Sequence, residues 1–158
     1  MLLPAITTLP AISKEATPDT IGAIEAQPLS ELWLNAGFYS YHFESNKNLN
    51  DNNIGVGVEY RYSSVNAVTA GRYQNSDRLI SNFAAWCWQP YTLGGLRLGA
   101  LLGMLNGYPK ANDGDWFPVV LPVVSYEYNN LGFNLTAVPT YRDILHGSLS
   151  LQLKLKLF

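Results

Sequence analysis

From Gly147 to Phe158 the chain keeps a strict period of two. Leu149, Leu151, Leu153, Leu155 and Leu157 interleave with Ser148, Ser150, Gln152, Lys154 and Lys156. Successive side chains of a strand point to opposite faces, so this segment carries one face of leucine and one that is polar or cationic. Running to a terminal aromatic, the pattern matches the closing strand of a bacterial outer-membrane barrel, with leucine in lipid and polar groups in the lumen. Phe158 itself shares the parity of Lys154 and Lys156, so the leucine row, and not the last residue, carries the reading.

The remaining apolar residues are too dispersed for helical membrane spans. The runs Leu98 to Leu105 and Val119 to Val124 are broken by glycine or proline and fall short of the roughly 18 residues a spanning helix needs. A membrane-crossing form of this chain is therefore a barrel. Ten tyrosines, six phenylalanines and four tryptophans would stock its interfacial girdles, and would equally stock a β-sandwich core. A net charge of −2 leaves no electrostatic footprint for nucleic acid. Cys87 is the only cysteine, and His42 and His146 have no second ligand at helical or strand spacing, so neither a disulfide nor a metal site is expected. No cofactor is expected either.

Residues 1–31 read as a leader. Leu2 to Ile12 is only mildly apolar, contains Pro4 and Pro10, and precedes the first basic residue, Lys14, which is the wrong order for a secretory signal. Its Pro, Thr and Ala content favours an extended, poorly ordered stretch to Asp19, and Thr20 to Leu34 has room for a short amphipathic helix.

Residues 32–158 divide into about eight alternating segments: Trp33–Phe43, Asn53–Tyr62, Ala67–Gln74, Leu79–Trp88, Leu93–Leu105, Phe117–Tyr128, Leu131–Val138 and the closing strand. In the second, Ile54, Val56, Val58, Tyr60 and Tyr62 face one way and Gly55, Gly57, Glu59 and Arg61 the other. A carboxylate and a guanidinium are costly in lipid but can pair inside a small barrel, so the glycine-bearing face points inward. Short connections near Ser64, Pro90 and Asn129 alternate with longer or more polar ones near Asn48, Asp77, Asp113 and Asp143, as inner turns and external loops do. The fold expected is all-β: an eight-stranded antiparallel outer-membrane β-barrel behind a short helix or disordered leader. Small residues such as Gly95, Gly99 and Gly103 leave room in the lumen for opposing side chains or for one acyl chain. Arg72, Arg78, Arg97 and Arg142 fit lumen ion pairs or rim charges, and alternatively lipid phosphate.

The stretch Phe117-Pro118-Val119-Val120-Leu121-Pro122-Val123-Val124-Ser125-Tyr126, followed after an Asn-Asn turn by Gly132 to Tyr141, resembles the lipid A palmitoyltransferase (PagP) family. That resemblance implies an eight-stranded outer-membrane barrel with an N-terminal amphipathic helix, and prolines in the sixth and seventh strands that open lateral gaps for lipid. Pro118, Pro122 and Pro139 match, since proline lacks the N–H a ladder requires. The resemblance further implies acyl transfer from a phospholipid donor to lipid A, with a histidine on the first external loop and an Asp-Ser pair at the top of the third strand. His42 and Ser76 stand at those places, with Asn75 where the family has aspartate and Asp77 following. Acyl transfer needs a base, an activated hydroxyl and oxyanion donors. His42 is the candidate base, Ser76 the nucleophile or an oxyanion donor, Asn75 an oxyanion donor and Asp77 the orienting acid. The partners implied are membrane lipids, with a monomer expected. An inert outer-membrane barrel acting through its loops, and a lipocalin-like binder with leucines turned inward, remain as alternatives.

Overall fold

The computed structural model describes residues 20–158. Its strands are β1 (Gly22–Ala23), β2 (Pro28–His42), β3 (Gly55–Ser63), β4 (Asn66–Gln74), β5 (Ile80–Leu93), β6 (Leu96–Leu105), β7 (Phe117–Tyr128), β8 (Leu131–Val138) and β9 (Ser148–Lys156). Each of β2 to β8 pairs antiparallel with the next, and β9 pairs back onto β2, so eight strands close into an up-and-down barrel with no free edge. Among the described residues no helix is long and apolar enough to cross a membrane.

The closing strand behaves as its period dictates. Leu153, Leu155 and Leu157 are 52%, 42% and 53% exposed on the outer wall, while Lys154 is 3% exposed inside. Val56, Val58, Tyr60 and Tyr62 likewise face outward, and Glu59 and Arg61 are buried in the lumen. A lipocalin-like arrangement required the opposite sense. Phe158 lies beyond β9, exposed, with its carbonyl accepting from the Leu32 N–H.

Three expectations need correction. Thr20 to Leu34 is extended and not helical: Gly22 and Ala23 pair with Thr92 and Tyr91, where β5 outruns β4 and would otherwise leave backbone groups unpaired. The barrel accordingly begins at Pro28, ahead of the expected boundary at 32, and the rest of the leader lies outside the described residues. Gln89 to Thr92 is strand, not turn, because a bulge between Trp88 and Tyr91 accommodates Pro90, and the hairpin turn falls at Gly94 and Gly95, both at positive φ. A further bulge in β2 between Ala36 and Tyr39 uses Gly37 at φ +63°.

The lumen has two unlike halves. Toward the rim where β1 lies, Glu59 accepts from Arg61 at 3.1 Å and Lys154 at 3.0 Å, and Glu127 accepts from the same two at 2.9 and 2.6 Å. Trp33 lies between the Lys154 and Lys156 ammonium groups, and Lys156 reaches Glu31 at 2.9 Å. A chain of amides and hydroxyls from Gln89 through Ser125 and Asn134 joins Glu59. Toward the opposite rim the lumen is lined by Phe38, Tyr73, Phe83, Leu105, Tyr108 and Val119 around a cavity of about 160 Å³. The glycine-bearing face is filled from across the wall: a Cβ at Gly71 would meet the Phe83 ring at 2.7 Å.

Candidate active site

β2 continues past its pairing with β3, which stops at Ala36 opposite Val56, and so carries His42 to the rim of the hollow half. The next residues cannot build a strand. The loop from Glu44 to Asn53 folds back instead and is tied to the β4–β5 turn by backbone and amide bonds: Asn50 N–H to the Ser76 carbonyl (3.0 Å), Asn53 Nδ2 to the Gln74 carbonyl (2.8 Å) and Arg78 Nη1 to the Asn48 carbonyl (3.0 Å). The Asp51 carbonyl accepts from the Ser40 N–H at 2.8 Å.

This closure places three side chains in a row. His42 Nδ1 is 2.6 Å from Asp51 Oδ1 and His42 Nε2 is 2.7 Å from Ser76 Oγ. An ionised carboxylate only accepts, which makes Nδ1–H the donor and leaves Nε2 free to accept from the serine hydroxyl. A carboxylate–imidazole–hydroxyl chain of this polarity can take a proton from the serine as its oxygen attacks a carbonyl, and return it to the leaving group. His42 is buried, Asp51 is half exposed, and Ser76 lines the apolar cavity, so the hydroxyl stands where a hydrocarbon chain in the lumen would end.

Of the residues expected from sequence, His42 and Ser76 meet. Asn75 is fully buried and builds the turn: its amide donates to Ser81 Oγ (2.9 Å) and the Gly107 carbonyl (2.8 Å), and its Oδ1 accepts from the Asp77 and Leu79 N–H groups. Both amide hydrogens are thereby engaged. Asp77 is exposed on that turn, and the carboxylate on His42 is Asp51. Nothing in the polar run from Glu44 to Asn53 marked Asp51 beforehand, because its role arises from how the loop closes.

Two phenols complete the cavity mouth. Tyr108, in the loop after β6, is hydrogen-bonded to Tyr73 at 2.9 Å, and burial pushes its phenol well above the ordinary tyrosine range, so it stays neutral. Further out, Lys47 is 3.1 Å from Glu44 and holds that carboxyl below the usual glutamate range, while His146 is 3.3 Å from the same carboxylate.

The wall beside the site is incompletely paired. β7 pairs with β8 only from Val123 to Tyr128, so the segment holding Pro118 and Pro122 bonds to β6 alone. With the early end of β2–β3 pairing, this leaves two lapses in the ladder, both in the hollow half.

No protein-family model matches the chain. The lipid A acyltransferase PagP of Laribacter hongkongensis (strain HLHK9) is 31% identical over an alignment of 131 residues that covers 77% of this chain. The chain spans 62% of that relative's length. A solved chain from the de novo design of transmembrane beta-barrels matches with a TM-score of 0.54 over 83% of this chain and 98% of its own length, at 13% identity. That second likeness concerns the fold alone. With the eight-stranded antiparallel barrel, the first makes the chain PagP-like.

Proposed function

We propose, for a PagP-like chain closed into an eight-stranded barrel, that it resides in the bacterial outer membrane and transfers an acyl chain from a phospholipid to lipid A. The observation that carries this reading is the Asp51–His42–Ser76 chain at the mouth of an apolar lumen cavity. A phospholipid acyl chain reaches that cavity through the poorly paired wall at β7–β8 or β2–β3 and lies along Phe38, Phe83 and Leu105. Its ester carbonyl then stands at the rim beside Ser76.

The step runs as acyl transfer in two halves. Ser76 Oγ bonds to the ester carbon while its proton passes to His42 Nε2; the ester C–O bond breaks, and the lysophospholipid oxygen leaves with that proton. A lipid A hydroxyl next attacks the acyl-serine, giving its proton to His42, and the Oγ–acyl bond breaks with the proton returned to Ser76. Asp51 positions the imidazole and stabilises its charged form. The polar floor formed by Thr69, Asn134 and Gln152 limits how deep a chain can lie, since methylene groups gain nothing against amides already hydrogen-bonded to Glu59 and one another.

The test is transfer of labelled acyl chain from phosphatidylcholine to lipid A in mixed micelles, with His42→Ala and Ser76→Ala beside the wild type. Transfer that persists unchanged in both variants rejects the site. Without acceptor, the intact protein is expected to gain the mass of one acyl group, and Ser76→Ala to gain none. No transfer by any form favours the inert barrel.

A further inference from the structure

The outward faces of β2 to β9 carry a single ionisable side chain other than tyrosine, Arg72. Its neighbours across the ladder are Val56 on β3 and Asn82 on β5. A guanidinium facing lipid costs about 2–4 kcal/mol at the bilayer midplane and about 0–1 near the interface. Arg72 is two residues short of the end of β4, about 7 Å below the rim that holds the site. That is the depth at which a long side chain reaches the headgroup layer.

The side chain is also oriented. Its Nε donates to Asn82 Oδ1 at 2.9 Å, and Asn82 in turn is held by Asn106 Oδ1 through both its backbone N–H (2.7 Å) and its Nδ2 (3.2 Å). The row Arg72–Asn82–Asn106 runs from β4 across β5 to the residue that follows β6 and fixes the guanidinium plane, leaving Nη1 and Nη2 without hydrogen bonds among the described residues. Two parallel N–H donors on a planar cation match two oxygens of a phosphate. Arg78, exposed in the turn above, adds a second positive charge on the same strand pair.

We propose that this outer-wall row is a docking site for a phosphate of the acceptor lipid A. The inference rests on the acyl-transfer reading, because the choice of acceptor over other lipids comes from Ser76 crowning the same β4–β5 pair. An acceptor held by its phosphate against β4 and β5 presents its sugar hydroxyls to the rim beside the acyl-serine.

The experiment reads binding without turnover. Wild type, Arg72→Leu and Arg72→Lys, each checked for barrel formation by heat-modifiable migration, are titrated in detergent with bis-phosphorylated lipid A, dephosphorylated lipid A and phosphatidylglycerol, and bound lipid is counted by native mass spectrometry. Arg72→Leu is expected to weaken bis-phosphorylated lipid A about tenfold or more, the scale of one charge-assisted pair. Arg72→Lys should retain part of the affinity, and dephosphorylated lipid A should bind wild type and Arg72→Leu alike. Equal binding of bis-phosphorylated lipid A by wild type and Arg72→Leu overturns the site. An equal loss for phosphatidylglycerol overturns the assignment to the acceptor. Phosphate-dependent binding in a protein that transfers no acyl chain would count against the catalytic reading alone, whereas full transfer with no Arg72 dependence would count against this site alone.

Discussion

The two halves of the lumen are built on the same alternating strands and do opposite things. In one, Glu59, Arg61, Glu127 and Lys154 pair with each other and fill the interior. In the other, rings and aliphatic side chains, joined by neutral hydroxyls and amides such as Ser150, Thr136 and Gln152, surround a cavity with no aspartate, glutamate, lysine or arginine among the described residues of its lining, and Asp51, His42 and Ser76 meet at its rim. Ion pairs fill space because their partners must touch; apolar residues can leave it open because a void lined by them needs no hydrogen bonds. One half therefore serves the fold, and the other leaves the cavity that the proposed acyl transfer requires.

The sharpest way to break that comparison is to remove the base or hydroxyl. His42→Ala and Ser76→Ala should each lower acyl transfer by about 100-fold or more, in the range for general-base catalysis, with the urea unfolding midpoint in lipid or detergent near wild type. Lys154→Met should do the reverse. It leaves Glu59 and Glu127 sharing Arg61 and should cost about 3 kcal/mol of unfolding free energy, while transfer per folded molecule stays near wild type. If Lys154→Met abolishes transfer in fully folded protein, the division between the halves is wrong.

Asp51→Asn should reduce turnover by about 10- to 100-fold, less than a buried carboxylate would, because Asp51 is half solvated. An unfolding midpoint near wild type in Asp51→Asn would separate orientation from simple loop damage. Leu101→Trp, which adds bulk to the cavity wall, should shift the transferred chain toward shorter lengths in product mass spectra, at a cost of about 1–3 kcal/mol of unfolding free energy because Leu101 also packs against Ala67, Cys87 and Val123.

The smallest effect belongs to the exposed loop pair Glu44–Lys47. The Lys47 hydrogen bond depresses Glu44, so its contribution is present above the ordinary glutamate pKa and fades as pH falls through the lowered value. Lys47 is raised by the same bond, so its contribution is lost only as pH rises through the raised lysine value. Amide exchange in residues 44–47 should therefore be flat across neutral pH and quicken, relative to intrinsic rates, only in acid or strong base. Lys47→Ala should weaken that acid response, leaving the part that His146 supplies.

Much of the barrel was legible because its signal is local. Phe117–Tyr128 and Leu131–Val138 appear at the bounds their alternation implied, and the inward face of Glu59 and Arg61 followed from the cost of charge in lipid. Reading failed where a local pattern competed with an open hydrogen-bonding edge. Residues 20–27 could have wound into a helix, but the unpaired end of β5 recruits Gly22 and Ala23, and Pro90 could be absorbed by a bulge only because neighbouring strands held their register. At the site, His42 and Ser76 were visible as chemistry at strand ends, whereas Asn75 and Asp77 drew attention by adjacency and are occupied with, or exposed on, their own turn.

By itself, then, the sequence determined which residues face outward and which face the lumen, because a period of two is a property of the extended backbone. Only the tertiary structure decided that Asp51 is the carboxylate on His42, and that Asn82 and Asn106 orient the single outward arginine of the barrel strands. Both depend on contacts between segments far apart in the chain, and no local pattern records which loop will close on which turn.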